Sequence, residues 1–279
     1  MEFEKWNIKE LSEELNIGLD SFVFIDDNPR ERGAVKQALP DVCVPEFPED
    51  TTKLEKFIIE IYKDYFLPLK LTNEDKKKST LYKQNFDREK AKKTSASFED
   101  FLFSLETRIN LTHARLEDVD RIAQLTQKTN QFNITTKRYT KQDILEFIKS
   151  KEHEVFIGNV IDRYGDNGKV IVVILKKDKE ESKIVIDTFL MSCRVMGRFI
   201  EDSVFDFIEN YALKFDFKEL VSNYNKTSKN QPVVNFFDRM GYETIKEDEK
   251  GNKVYTYDLR KKINRKLYYE VNNSWCAWM

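Results

Sequence analysis

Asp26 and Asp27 stand together at the end of the apolar run Phe22-Val23-Phe24-Ile25. Adjacent carboxylates at the carboxyl end of a buried strand suit a hard cation such as Mg2+, which takes carboxylate oxygens together with phosphate and water. They equally suit the plain task of opening the next helix. Cys193 follows another apolar run, Ile184 to Met191, and precedes Arg194. A strand end, a neighbouring guanidinium and a following helix N-terminus favour a thiolate able to hold an acyl group. The alternative is a small buried hydrophobe. Arg194, Gly197 and Arg198 form a short turn that can present backbone N–H groups and cations to a phosphate. The polar run Lys128-Thr129-Asn130-Gln131-Phe132-Asn133 offers amides to an acyl carbonyl or a pantetheine arm, or simply caps a loop.

The elements that position these residues follow from patterning. Lys9 to Leu15 reads as a helix stopped by a left-handed Gly18. Phe22–Ile25 and Val42–Val44 read as parallel strands covered on both faces, separated by a helix from Pro29 to about Leu39. Asn28 supplies that helix's N-cap, Pro29 its first position and Glu31 a capping box. Thr52 to Phe66 is helical, and about Thr72 to Lys93 is a long charged helix. A second α/β unit has strands at 108–112, 155–161, 170–176, 184–191, 219–224 and 254–258. Its helices are expected at 116–127, 141–149, 200–215 and 233–240, with a hairpin turn over 164–168.

Bulk composition narrows the function classes. The chain has 279 residues, and 47 basic against 49 acidic side chains leave a net charge of −2. That balance argues for no nucleic-acid or membrane partner. The run Lys76-Lys77-Lys78 is interrupted by acids and reads as a solvated helix face. No stretch approaches the roughly 20 apolar residues of a membrane span, and the charged N-terminus is unlike a secretory peptide, so a cytoplasmic location is expected. Cys43, Cys193 and Cys276 are widely spaced, and His113 and His153 are the only histidines, which excludes a disulfide framework and a His-rich metal site. Either histidine could serve as a general base, or simply pack.

Phe22-Val-Phe-Ile-Asp-Asp-Asn-Pro-Arg-Glu-Arg32 resembles the fourth motif of haloacid-dehalogenase-like (HAD) phosphatases. More specifically, the chain resembles the FkbH-like proteins of polyketide precursor biosynthesis. The likeness continues through Leu71-Thr-Asn-Glu-Asp75, Gln127-Lys-Thr-Asn-Gln-Phe-Asn133 and Met191-Ser-Cys-Arg-Val-Met-Gly-Arg198. It implies a C-terminal fragment of a HAD-like (Rossmannoid) domain over 1–66, a helical connection over 67–106, a GNAT-like acyltransferase domain over 107–260, and a tail over 261–279. The activity implied is transfer of a glyceryl-type unit, from a three-carbon phosphorylated acid, to the phosphopantetheine thiol of an acyl carrier protein in methoxymalonyl-type biosynthesis. Cys193 would carry the acyl group. Asn130, Asn133, Arg194, Gly197 and Arg198 would bind the pantetheine arm, and Asp26 and Asp27 the metal.

Two departures limit this reading. Phosphatase chemistry of the HAD kind needs a D-x-D nucleophile, which the 21 residues before Phe22 do not supply, and Lys5 is only near the expected lysine. Mg2+ would then be held weakly. In GNAT domains a Gly/Ala follows the Arg-x-x-Gly turn, but Phe199 stands there, so the backbone cannot approach coenzyme A closely. A non-catalytic carrier-binding module and an acyl-coenzyme A-dependent N-acetyltransferase are the alternatives.

Overall fold

The computed structural model describes residues 7–12, 18–66 and 73–273. Lys5 and Cys276 lie outside the described residues, as do Leu71 and Thr72. The chain divides into two compact units, Met1–Glu89 and Lys90–Met279, so the boundary falls inside the expected connection. Among the described residues no helix is long and apolar enough to cross a membrane.

The first unit begins with a helix over 7–12 (α1). Gly18 has φ −66° and precedes a short 3-10 turn, so it is not the left-handed stop expected from its position. Helix α2 (Pro29–Ala38) forms as anticipated: the Asn28 side chain accepts from the Arg30 N–H and Pro29 occupies the first turn. The flanking segments fall short of strands. They share one parallel bridge, Val23 with Cys43, and Ile25 is 39% exposed. Among the described residues the expected double coverage is not seen: the cluster around these segments consists of Ile8, Val35, Leu39, Val42 and Val44, with Leu19, Phe22 and Phe24 partly buried against it. Helix α3 (Leu54–Ile61) ends in a π turn over Tyr62–Phe66, and α4 (Asn73–Thr94) is the long charged helix.

The second unit is one large mixed sheet between helices. After α5 (Phe98–Ser104) come β1 (Arg108–His113), α6 (Val119–Lys128), β2 (Phe132–Asn133) and α7 (Lys141–Lys149). Then follow β3 (His153–Asp162), β4 (Gly165–Asp178), β5 (Lys183–Met191), α8 (Ile200–Lys214) and β6 (Glu219–Tyr224). A short α9 (Phe236–Arg239), β7 (Glu243–Glu247), β8 (Lys253–Asp258) and β9 (Val271–Asn273) complete it. The order is β7-β8-β6-β5-β4-β3-β1-β9, with β2 added beside β5. The β3–β4 turn is tighter than expected because the Asp162 carboxylate accepts from the Tyr164 N–H at 2.9 Å.

Periodicity explains the layering. Val119, Ile122, Ala123 and Leu125 line one stripe of α6, which packs with Ile144 of α7 on Val155, Ile157, Val172, Ile174 and Leu190. The other face carries α5, α8 and α9 and most of the aromatic core, including Phe156, Phe189, Phe205 and Phe237. The tail beyond 260 is part of the sheet: β9 lies parallel to β1, with Ile109 opposite Val271.

Candidate functional site

The parting of β5 from β6 is the place where the sheet opens. These neighbours run parallel and pair only from Lys183 with Glu219 to Ile186 with Ser222. Ligands in open α/β sheets gather where strands separate beyond their carboxyl ends. Here the gap is partly filled from within. Phe132 and Asn133 of β2 pair with Met191 and Leu190, and the Ile134 N–H donates to the Phe189 carbonyl at 3.2 Å. On the other side, the Asn225 N–H donates to the Ile134 carbonyl at 2.9 Å, and its side chain to the Thr135 carbonyl at 2.6 Å.

At the parting β5 is bulged. Ile174 faces Thr188 and Leu175 faces Ile186, so Asp187 is left without an opposite residue on β4. A bulge re-aims side chains and commonly borders functional sites. Asp187 accepts from the Tyr139 hydroxyl at 2.6 Å and the Thr188 hydroxyl at 3.0 Å, and it pairs with Lys137. Burial, reinforced by Asp187, pushes the Tyr139 phenol up and keeps it a donor. Sequence reasoning missed this cluster. The signal was present: Ile184 and Ile186, then Phe189 and Met191, all join the same core, so the period of two slips by one residue at 187–188.

Cys193 sits beyond the end of β5, opening a one-turn 3-10 segment (Cys193–Val195). Its exposure removes the buried-hydrophobe alternative. The turn through Phe199 also separates it from the N-terminus of α8, so that helix does not begin at the thiol. Six positions of extended chain separate Cys193 from Asp187, on the order of 20 Å, too far for one to act directly on the other. Neither histidine assists. His153 pairs across from Lys176, at the end of β4 away from Val170, where Ser192 is bonded. Its ring stacks on Phe147 at 4.7 Å, and burial lowers its pKa. His113 Nδ1 lies 3.3 Å from Glu154. Burial works against ionisation of Glu154, yet His113 and Lys177 hold its carboxyl at about 2.

The structure redistributes the expected arm-binding residues. Gly197 has φ +70° with open space around its Cβ position, which fits a turn needing a left-handed residue. Arg194 reaches the Asn167 carbonyl at 3.4 Å. Arg198 is a correction: it is buried, with Nη1 2.9 Å from Asp162 and Nη2 on the Arg194 carbonyl, so its charge is used inside the fold. Asn133 is a second correction. It is fully buried, donating to the Thr129 carbonyl at 3.3 Å and accepting from the Thr136 N–H at 2.9 Å. Asn130 is half-buried and accepts from Arg138 Nη2 at 2.6 Å.

Phe199 occupies the N-cap of α8 at φ +57° and provides no side-chain cap. A left-handed phenylalanine is strained, and packing holds it there. Its ring stacks on Tyr268 at 5.6 Å, meets Phe98 edge-on at 6.0 Å and lies 5.4 Å from the Arg239 guanidinium. Glu201 and Asp202 follow in the first turn. The turn into α8 is therefore covered by aromatics and bordered by acids.

Asp26 and Asp27 are tied into the turn that opens α2. Asp26 Oδ1 accepts from the Asn28 N–H at 2.7 Å, and Arg32 Nη1 binds both aspartates' carbonyls at 3.0 and 2.9 Å. A fixed cation thus sits where a second cation would be repelled. Among the described residues no group of three or more His, Cys, Asp or Glu could hold a metal ion.

No protein-family model matches the chain. No curated protein matches it either. Solved structures similar to it include spermidine N-acetyltransferase from Vibrio cholerae (TM-score 0.43, 11% identity, 57% of this chain and 99% of that one). An acetyltransferase from Thermus thermophilus aligns at TM-score 0.41 and 13% identity over 54% of this chain and 97% of that one. The GNAT domain of PAT from S. lividans aligns at TM-score 0.42 and 12% identity over 53% of this chain and 89% of that one. Likeness at this level fixes neither substrate nor activity.

Proposed function

We propose that the Lys90–Met279 unit is a GNAT-like acyltransferase that takes a glyceryl-type group from a three-carbon acyl phosphate onto Cys193 and passes it to the pantetheine thiol of an acyl carrier protein. The observation that carries this reading is the exposed Cys193 thiol on a turn at the open end of β5. In the first step the sulfur attacks the acyl carbon, the bond to phosphate breaks, and the thiol proton leaves with the phosphate. In the second, the pantetheine sulfur attacks the thioester and its proton returns to Cys193. The donor class and the carrier come from the FkbH-like resemblance. Intact mass spectrometry after exposure to a glyceryl acyl phosphate tests it: an adduct is expected in the native chain and none in Cys193→Ala. No adduct alongside tight carrier-protein binding would leave a non-catalytic binding module, which the filled β5–β6 gap suits.

Asp187 favours a second reading, acyl-coenzyme A-dependent transfer to an amine. A half-buried carboxylate at the parting can accept the proton an amine loses as it becomes an amide. In that case Asp187→Asn lowers turnover by about 10²- to 10⁴-fold, while Cys193→Ala leaves it unchanged.

A further inference from the structure

The segment Lys262–Asn273 returns across α8 to the sheet edge. Tyr268 stacks on Phe199, and its hydroxyl donates to Glu99 at 3.1 Å. Ser203 Oγ donates to the Tyr269 carbonyl at 2.8 Å, and Arg265 Nη1 binds the buried Glu209 at 2.8 Å. Beneath this strap the filling is polar. Asn167 Oδ1 and Glu201 Oε2 are buried without a hydrogen-bond partner, and the buried Tyr269 hydroxyl lies against Thr107. They border the Arg198–Asp162 pair: Asn167 donates to Asp162 at 3.2 Å, and Arg198, Glu201 and Asp162 act on the Tyr269 hydroxyl. Buried polar atoms left unpaired weaken a closed arrangement relative to one that lets water in.

We infer that Lys262–Asn273 is a latch. Seated, it covers Phe199 and the first turn of α8; lifted, it opens that turn to solvent; the charge on Glu201 sets the balance.

At the sheet edge the strap pairs in parallel over only three residues, which is a weak seam. The groups facing Glu201 are Asp202 on α8, Arg239 on α9 and Tyr269 on the strap, and Tyr269 in turn faces Arg198 in the turn and Asp162 at the end of β3. Both arginines are engaged elsewhere. Arg198 is paired with Asp162, and Arg239 holds Asp202 through two 2.6 Å bonds, reaching Glu201 only at 3.4 Å. Burial, with Asp202 adding to it and Arg239 opposing, raises the Glu201 carboxyl from its ordinary 4.5 to about 7. The closed strap therefore binds the extra proton. Closure is fully favoured below the ordinary value and weakens as pH rises to about 7, by about tenfold per pH unit.

Amide hydrogen exchange of the full-length chain, corrected for intrinsic rates, reads the opening at β9 and the first turn of α8. Opening of the native strap is expected to rise roughly 10- to 100-fold between pH 5 and pH 8. Glu201→Gln should remain closed at both. A native strap indifferent to pH, or the same rise in Glu201→Gln, overturns the inference. Tyr268→Ala gives an independent arm: strap exchange should rise at both pH values while β3 and β4 stay protected, and exchange equal to the native protein's would sink the latch.

Discussion

The two units solve opposite problems. In Met1–Glu89 the chemistry-bearing residues are locally well made, with a capped helix and an Arg32-pinned loop, but among the described residues they have only a small cluster of buried hydrophobes and one bridge around them. In Lys90–Met279 the frame is large, and the residues with chemical potential have been drawn into it. Arg198 and Asn133 are spent on structure, while Asp187 and Cys193 are presented by a bulge and a strand end. Local capping can thus build a motif without a sheet to complete it. A complete sheet decides which polar residues remain available.

Substitutions sharpen this contrast. Arg198→Ala removes one partner of a buried pair and should cost about 3–5 kcal/mol, seen as a lower denaturation midpoint for the second unit; a loss under 1 kcal/mol would return Arg198 to the ligand-binding set. Asn133→Ala abandons two hydrogen bonds at a fully buried position, and about 1–3 kcal/mol is expected by urea unfolding. Asn28→Ala removes only a cap, about 1 kcal/mol, and its effect should be confined to exchange in the first unit. Cys193→Ala is expected to stay within about 0.5 kcal/mol of native stability. A large loss there would mean the thiol packs rather than waits for a substrate.

The same contrast explains what could be read from sequence. Helix α7 falls over Lys141–Lys149 as its stripe implied, and α2 starts at Pro29 because Asn28 and Pro29 write the start locally. The turn through Gly197 and the strand leading to it were equally legible. Three features were not. The slip at Asp187 required noticing two core residues out of phase. The pairing of β2 with β5, and of β9 with β1, joins segments far apart in the chain, and nothing in the local pattern of Phe132–Asn133 or Val271–Asn273 names a partner. For the same reason Asn130 and Asn133 looked like ligands: as loop amides they were free, and only the folded chain supplied Arg138 and Thr129 to occupy them.

The pairing of β9 with β1 also sets a timetable. Ile109 emerges early in synthesis of the second unit, and Val271 near its end. The sheet from β1 through β8 can form while the strap is still being made, because domains fold as units during synthesis and long-range pairings come late. During that interval Phe199 and the orphan donors at the start of α8 face water. Because β9 is made after the strands it closes upon, the newborn protein passes through the open form before it reaches the closed one.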